Sequence, residues 1–192
     1  MENHRFGFLV IDMMNDFFDQ HPELSACRRQ LVAGINQLAR AFREHQQSVI
    51  WIRGEFAPDL SDGFPEMRRR GIRVAIAGTN GCQILSDLDR AETDRVIVKK
   101  RYSAFFGTNL DSTLETLQPK TLVVSGINTH ACVRTTIIDA YQRDYDVVVA
   151  SDCIASYDQE HHDVTRRYLD GKMARFLGNA EILSLLTSKG AV

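Results

Sequence analysis

Across its 192 residues the sequence contains no Cys-x-x-Cys pair. Its four cysteines, Cys27, Cys82, Cys132 and Cys153, are widely scattered, which excludes the spacing of a zinc knuckle or a redox dithiol. In a reducing compartment they remain thiols. No histidine falls between His45 and His130, and the stretch from Gln46 to Thr129 holds no clustered ligand set, so a metal site is not expected. The segments GTNG and SGIN lack the Gly-x-Gly-x-x-Gly spacing, which argues against a dinucleotide site. The longest apolar runs, Phe6 to Ile11 and Val147 to Ala150, are far shorter than the ~18–20 residues of a membrane-spanning helix. The opening MENHRFGFLV enters a strand-like run with no small-residue cleavage site behind it; a secretory signal is not indicated and a cytoplasmic location is expected. A formal net charge of −2 leaves no basic footprint for a nucleic-acid partner. Internal repeats and low-complexity tracts are missing as well.

What is present has the length and composition of one globular domain, residues 1–192, since a chain of this size buries about 70% of its unfolded surface. Apolar runs rich in β-branched residues recur at Phe6–Ile11, Val49–Ile52, Arg95–Val98, Thr121–Val124, Val147–Ala150 and, more weakly, Ala174–Leu177. Between them lie helical periodicities. Leu31, Ile35, Leu38 and Phe42 make one face of a helix from about Ser25 to His45. Leu110, Leu114 and Leu117 mark a short helix for which Thr108 is the candidate cap. Further helices are expected from about Ala131 to Arg143, from Asp158 to Asp170 with Gly171 closing it, and from Asn179 to Leu186. Five or six strands separated by helices argue for an α/β fold, a parallel sheet covered on both faces. From Arg53 to Gly81 the periodicity vanishes, which marks a long loop or lid. Its Arg68, Arg69, Arg70 and Arg73 are either a solvated basic turn or guanidinium groups that pair with a substrate carboxylate or with an acidic patch across a dimer.

Within this pattern VVSGINTHACVRTT, Val123 to Thr136, places Cys132 where a strand, a glycine turn and a helix start follow one another. Parallel α/β sheets put chemistry at that edge. A helix N-terminus favours the thiolate and is expected to lower the pKa of Cys132, although a buried cysteine also packs as an ordinary small hydrophobe. Asp12 and the pair Lys99 and Lys100 likewise follow apolar runs, so all three groups reach one sheet edge if the strands are parallel. An acid, a thiol and a fixed positive charge are the parts needed for covalent attack on an electrophilic carbon. Val96, Ile97 and Val98 are all apolar, as in a strand covered on both faces, so periodicity alone does not choose between the two lysines.

The segments VIDMMNDF, VIVKKRYSAFFGTNL, GINTHACVRTTIIDAYQRDYDVVVASDCIAS and, more weakly, GTNGCQIL resemble the isochorismatase-like cysteine hydrolases over nearly the whole chain. The resemblance implies a three-layer α/β/α sandwich with a six-stranded parallel sheet of Rossmann-like topology, in homodimers or homotetramers. It implies a catalytic triad of Asp12, Lys99 and Cys132, with Lys99 chosen over Lys100 by its spacing to Ser103. It further implies a cis peptide between Ile127 and Asn128 that turns the backbone N–H groups of Asn128 and Cys132 inward as an oxyanion hole. Two departures stand out. Met14 occupies a position where many members carry glutamine, and where the nicotinamidase branch carries aspartate and histidine metal ligands after the second strand, this chain has no histidine between His45 and His130.

The resulting expectation is a hydrolase that cleaves an amide or ureido C–N bond of a small molecule through a thioester, without a cofactor. A cysteine at position 132 favours the amide-cleaving members over the vinyl-ether-cleaving isochorismatases. His130 is a second candidate base, two residues from the cysteine. The alternatives are the vinyl ether hydrolase, a catalytically silent member acting as an interaction module, and a phosphotransferase using Asp12, the last disfavoured because Met14 stands where a magnesium-binding acid belongs.

Overall fold

A computed structural model describes residues 5–187; Met1 to His4, the start of the segment read above for a signal, lie outside it. Six strands, β1 (Phe6–Ile11), β2 (Ser48–Gly54), β3 (Arg95–Lys99), β4 (Thr121–Gly126), β5 (Asp146–Ile154) and β6 (Arg175–Leu177), form one sheet in the order β3-β2-β1-β4-β5-β6. Every neighbouring pair is parallel. Parallel neighbours require crossovers: α2 (Pro22–Glu44) lies between β1 and β2, α4 (Leu110–Leu117) between β3 and β4, α5 (Arg134–Tyr141) between β4 and β5 and α6 (Gln159–Leu169) between β5 and β6, while α7 (Asn179–Thr187) follows the last strand. Two shorter helices, α1 (Asn15–Gln20) and α3 (Pro65–Arg70), are also present. Among the described residues no helix is long and apolar enough to cross a membrane.

Alternation along β1 sorts the core into two layers. Phe8 and Val10 join Leu31, Ile35, Leu38 and Phe42 of α2 and Ile182 of α7 on one face. Leu9 and Ile11 join Leu110 and Leu114 of α4 and Ile137 of α5 on the other. Helices cover both faces, giving the three-layer α/β/α sandwich. Each fully buried Leu, Ile or Phe contributes about 1.5–3 kcal/mol to this packing.

The strand order departs from a simple covering at one edge. β3 lies at the margin of the sheet, and its residues alternate: Ile97 and Lys99 are buried, while Val96 and Val98 are exposed. One face of this strand is therefore open, contrary to the expectation of two covered faces, and its parity places Lys99 inward. The segment after β2 also differs from a bare lid. It carries α3 and closes over a small core of its own, Met14, Phe56, Leu60, Met67, Ala75, Ile76 and Cys82.

Chain order turns back between β1 and β4, because β2 and β3 build outward on one side and β4 to β6 on the other. At such a switch point, at the carboxyl ends of the strands, open α/β sheets place their sites. Close approach there depends on Gly126: with φ of 107° and a would-be Cβ only 2.0 Å from the Ile11 carbonyl oxygen, no side chain fits.

Candidate active site

β1 is followed at the switch point by the buried Asp12, whose φ of 54° is left-handed and rare outside glycine. Two backbone contacts fix it: Asp12 N–H donates to the Ile52 carbonyl at 2.8 Å, and Gly54 N–H donates to Asp12 Oδ1 at 3.0 Å. Strain of this kind persists where the surroundings over-determine it, and such positions cluster at functional sites. From the sheet edge Lys99 reaches inward so that its Nζ lies 2.7 Å from Asp12 Oδ2. The same Nζ is 3.3 Å from Cys132 Sγ and donates to the Arg101 carbonyl at 3.1 Å. Among the described residues, Asp12 Oδ2 has no hydrogen-bond partner apart from the lysine ion pair. All three side chains are buried.

Cys132 sits in a π-helical turn, Thr129 to Val133, that leads from β4 into α5. The Ile127–Asn128 peptide just before that turn is cis. Thr136, four residues on, ties two pieces together: its Oγ1 donates to the Cys132 carbonyl at 2.7 Å and accepts from Ala104 N–H at 3.0 Å. The loop that follows β3 is thereby fastened to the cysteine helix.

Charge within this triplet follows from burial and proximity. Burial disfavours the ammonium of Lys99, but the Asp12 carboxylate and the Cys132 sulfur outweigh it and hold the pKa above the ordinary lysine value. Burial first, and the Asp12 carboxylate second, push the Cys132 thiol up to about 12 against the opposing pull of Lys99. The helix N-terminus was expected to lower this pKa; burial and a neighbouring carboxylate overrule it. Both effects favour the neutral thiol of Cys132 over the thiolate.

Other residues singled out by the sequence lie elsewhere. Lys100 turns away, pairing with Asp62 at 2.7 Å and donating to the Glu55 carbonyl at 2.6 Å. His130 Nδ1 meets Ser156 Oγ at 2.6 Å, so the second candidate base is engaged with α6's leading loop and not with the sulfur. The four loop arginines act within their own segment: Arg68 donates to the Gly63 carbonyl and Arg73 to the Pro58 carbonyl, while Arg69 and Arg70 pair with Glu66. Gly54 and Thr136 went unnoticed in the sequence, since a backbone N–H and a helix threonine leave no pattern of their own. Asn109, not Thr108, holds the cap position of α4; Thr108, one residue earlier, accepts from Leu110 N–H at 3.1 Å.

The donor set beside the site does not suit a metal. After β2 the carboxylates are already held, Glu55 by Arg53 at 2.8 Å and Asp62 by Lys100 at 2.7 Å, and no histidine accompanies them. Among the described residues no three or more His, Cys, Asp or Glu side chains are grouped to hold an ion.

A doubly wound parallel sheet with a thiol, a carboxylate and an ammonium converging at its switch point defines an α/β protein with a sheet-edge site. Comparison with known proteins gives the family. Residues 7–181 match the model of the isochorismatase domain. The chain is 35% identical over 175 residues to a protein of Arabidopsis thaliana described as "probable inactive nicotinamidase", covering 86% of this chain and 87% of that one. It is 30% identical over 166 residues to the ureidoacrylate amidohydrolase RutB of Methylorubrum extorquens, covering 75% of this chain and 67% of the other. An isochorismatase family protein of Desulfovibrio vulgaris superposes with a TM-score of 0.85 at 29% identity over 97% of this chain and all of the other. Nicotinamidase PncA of Bacillus subtilis superposes with a TM-score of 0.77 at 28% identity, covering 88% and 96% of the two chains. The chain belongs to the isochorismatase family of hydrolases.

Proposed function

We propose that the protein hydrolyses the C–N bond of a small amide or ureido compound through a thioester on Cys132. The observation that carries this reading is the placement of Lys99 Nζ, in contact with both the Asp12 carboxylate and the Cys132 sulfur in one buried cluster. Asp12 accepts the thiol proton as Sγ attacks the carbonyl carbon, and the backbone N–H groups of Asn128 and Cys132 hold the oxyanion. Collapse of that intermediate breaks the C–N bond while Asp12 returns the proton to the departing nitrogen. Water, deprotonated by Asp12, then adds to the thioester, and the product acid leaves as Sγ regains its proton. Lys99 stays charged throughout and offsets the negative charge that passes between carboxylate and sulfur. No step calls for a cofactor.

RutB, named for ureidoacrylate, and PncA, named for nicotinamide, support the bond type without fixing the substrate. A silent chain is the second reading, favoured by the relative described as inactive; the complete set of Asp12, Lys99 and Cys132 speaks against it. A single cytoplasmic domain, working as a homodimer or homotetramer on a small molecule, belongs to the same reading, and sedimentation velocity tests the assembly.

The deciding experiment screens small amides, ureido acids, nicotinamide and isochorismate against the wild-type chain and Cys132→Ala. Turnover of an amide or ureide that vanishes in Cys132→Ala, with a substrate-derived acyl mass trapped on the wild-type protein, is the expected result. Comparable turnover by the alanine variant, or hydrolysis of isochorismate alone, overturns the reading.

A further inference from the structure

Outside the buried triplet, one histidine on α6 is aimed at the cysteine turn. Asp158 Oδ1 caps α6 by accepting from His161 N–H at 2.9 Å, which fixes the first turn of the helix. His162, Thr165 and Leu169 then fall on the inner face, since positions three and four apart align. His162 Nδ1 lies 2.9 Å from Thr129 Oγ1, and Thr129 Oγ1 lies 3.0 Å from the Ala155 carbonyl oxygen. That carbonyl also accepts from Thr129 N–H at 2.9 Å.

A hydroxyl carries one proton, and counting it assigns the histidine tautomer. Directed to Ala155, that proton leaves Oγ1 as an acceptor, so Nδ1 must carry the hydrogen. The reverse assignment sets two acceptor oxygens against each other at 3.0 Å. Burial and then Arg166 lower the pKa of His162, which favours a neutral ring. The chain of donors therefore runs from His162 Nδ1–H to Thr129 Oγ1–H to the Ala155 carbonyl, and it grips a buried threonine between Asn128 and Cys132.

Resting on the hydrolase reading above, we propose that His162 is a positioning residue that orients the turn carrying the oxyanion-binding N–H groups through the Thr129 hydroxyl. It touches neither sulfur nor carboxylate. Its effect belongs to the transition state, where the oxyanion exists, and not to substrate binding.

The geometry makes a chemical distinction between two isosteres. Asparagine places its amide nitrogen three bonds from Cα, as far along the side chain as Nδ1; glutamine places it one bond further, like Nε2. His162→Asn is expected to keep kcat within about threefold, whereas His162→Gln and His162→Leu lower kcat about ten- to a hundredfold with KM unchanged. Thr129→Val should produce the same loss and add little on top of His162→Gln, because both break one chain. Equal activity of the Asn and Gln variants, a fall in kcat that tracks a fall in melting temperature across all variants, or a change confined to KM overturns the proposal. Should the leucine variant not fold, the Asn and Gln pair still decides. Ring-nitrogen NMR of 15N-histidine-labelled wild-type protein supplies a readout that needs no substrate. A protonated Nδ1 and a bare Nε2 on His162 are expected; a bare Nδ1 overturns the relay. A wild-type chain that turns over none of the screened amides or ureides defeats the hydrolase reading, while the NMR result still judges the relay.

Discussion

Lys99 and Asp12 pull the thiol of Cys132 in opposite directions, so removing either one gives a signature that a general loss of structure does not. Asp12→Asn deletes a negative neighbour and is expected to bring the thiol pKa below about 12, while Lys99→Ala deletes the positive neighbour and raises it further. Both variants should lose several orders of magnitude in kcat, the first because the base is gone, the second because nothing offsets the transferred charge. The pH dependence of alkylation by iodoacetamide, followed beside turnover, checks both signs. Lys100→Ala should be mild, since its ammonium sits with Asp62 on the surface side. At this scale the sequence was informative where chemistry and position coincide. Asp12, Lys99 and Cys132 each end or follow a strand, and the family resemblance, through the spacing of Lys99 to Ser103, separated Lys99 from its neighbour. Its protonation balance was not legible, because the Cys132 pKa depends on burial and on a carboxylate 120 residues away in the chain. Nor were the backbone donor of Gly54 and the threonines at 129 and 136, whose roles exist only once separate loops meet.

The pairing of β1 with β4 forms the switch point, and at Gly126 the two backbones leave no room for a side chain. Gly126→Ala forces a methyl group into the Ile11 backbone at a φ that disfavours any side chain, and we expect a loss of about 3 kcal/mol or more. Urea unfolding should show a lower midpoint at unchanged slope. A variant of wild-type midpoint would mean that the two strands part without cost. Most elements could be read from apolar periodicity: β1 was located to the residue, and α2, α4 and α6 within a few positions. β5 was read as ending at Ala150 but continues to Ile154, through Ser151 and Asp152, whose polarity marked a strand end. α1 was not anticipated, being a single short stretch with no period to show. The region from Arg53 to Gly81 lacks a long periodicity because it packs by a few scattered apolar side chains, Phe56, Leu60, Met67 and Ile76, around a local core.

Taken whole, the molecule answers to its own side chains for charge balance near the site, and prolonged dialysis against a chelator is expected to leave turnover unchanged. Loss of activity restored by zinc, iron or manganese, with one equivalent of metal per chain by elemental analysis, would contradict that. The sheet as a whole was legible in the alternation of strands and helices, but its order was not: nothing local in VIVKK says that this strand lies at the margin. That margin has a further consequence. Interior strands are held from two sides, β3 only from β2, and the free-energy cost of detaching a peripheral strand is lower than that of melting the entire domain. One member of the buried cluster, Lys99, is thus attached to a strand held from one side only. Warming should silence the protein before it melts: residual turnover is expected to fall several degrees below the calorimetric midpoint, in step with deuterium uptake at residues 95–99 and ahead of uptake in β1 and β4. Coincident inactivation and melting would show that the margin holds as firmly as the centre.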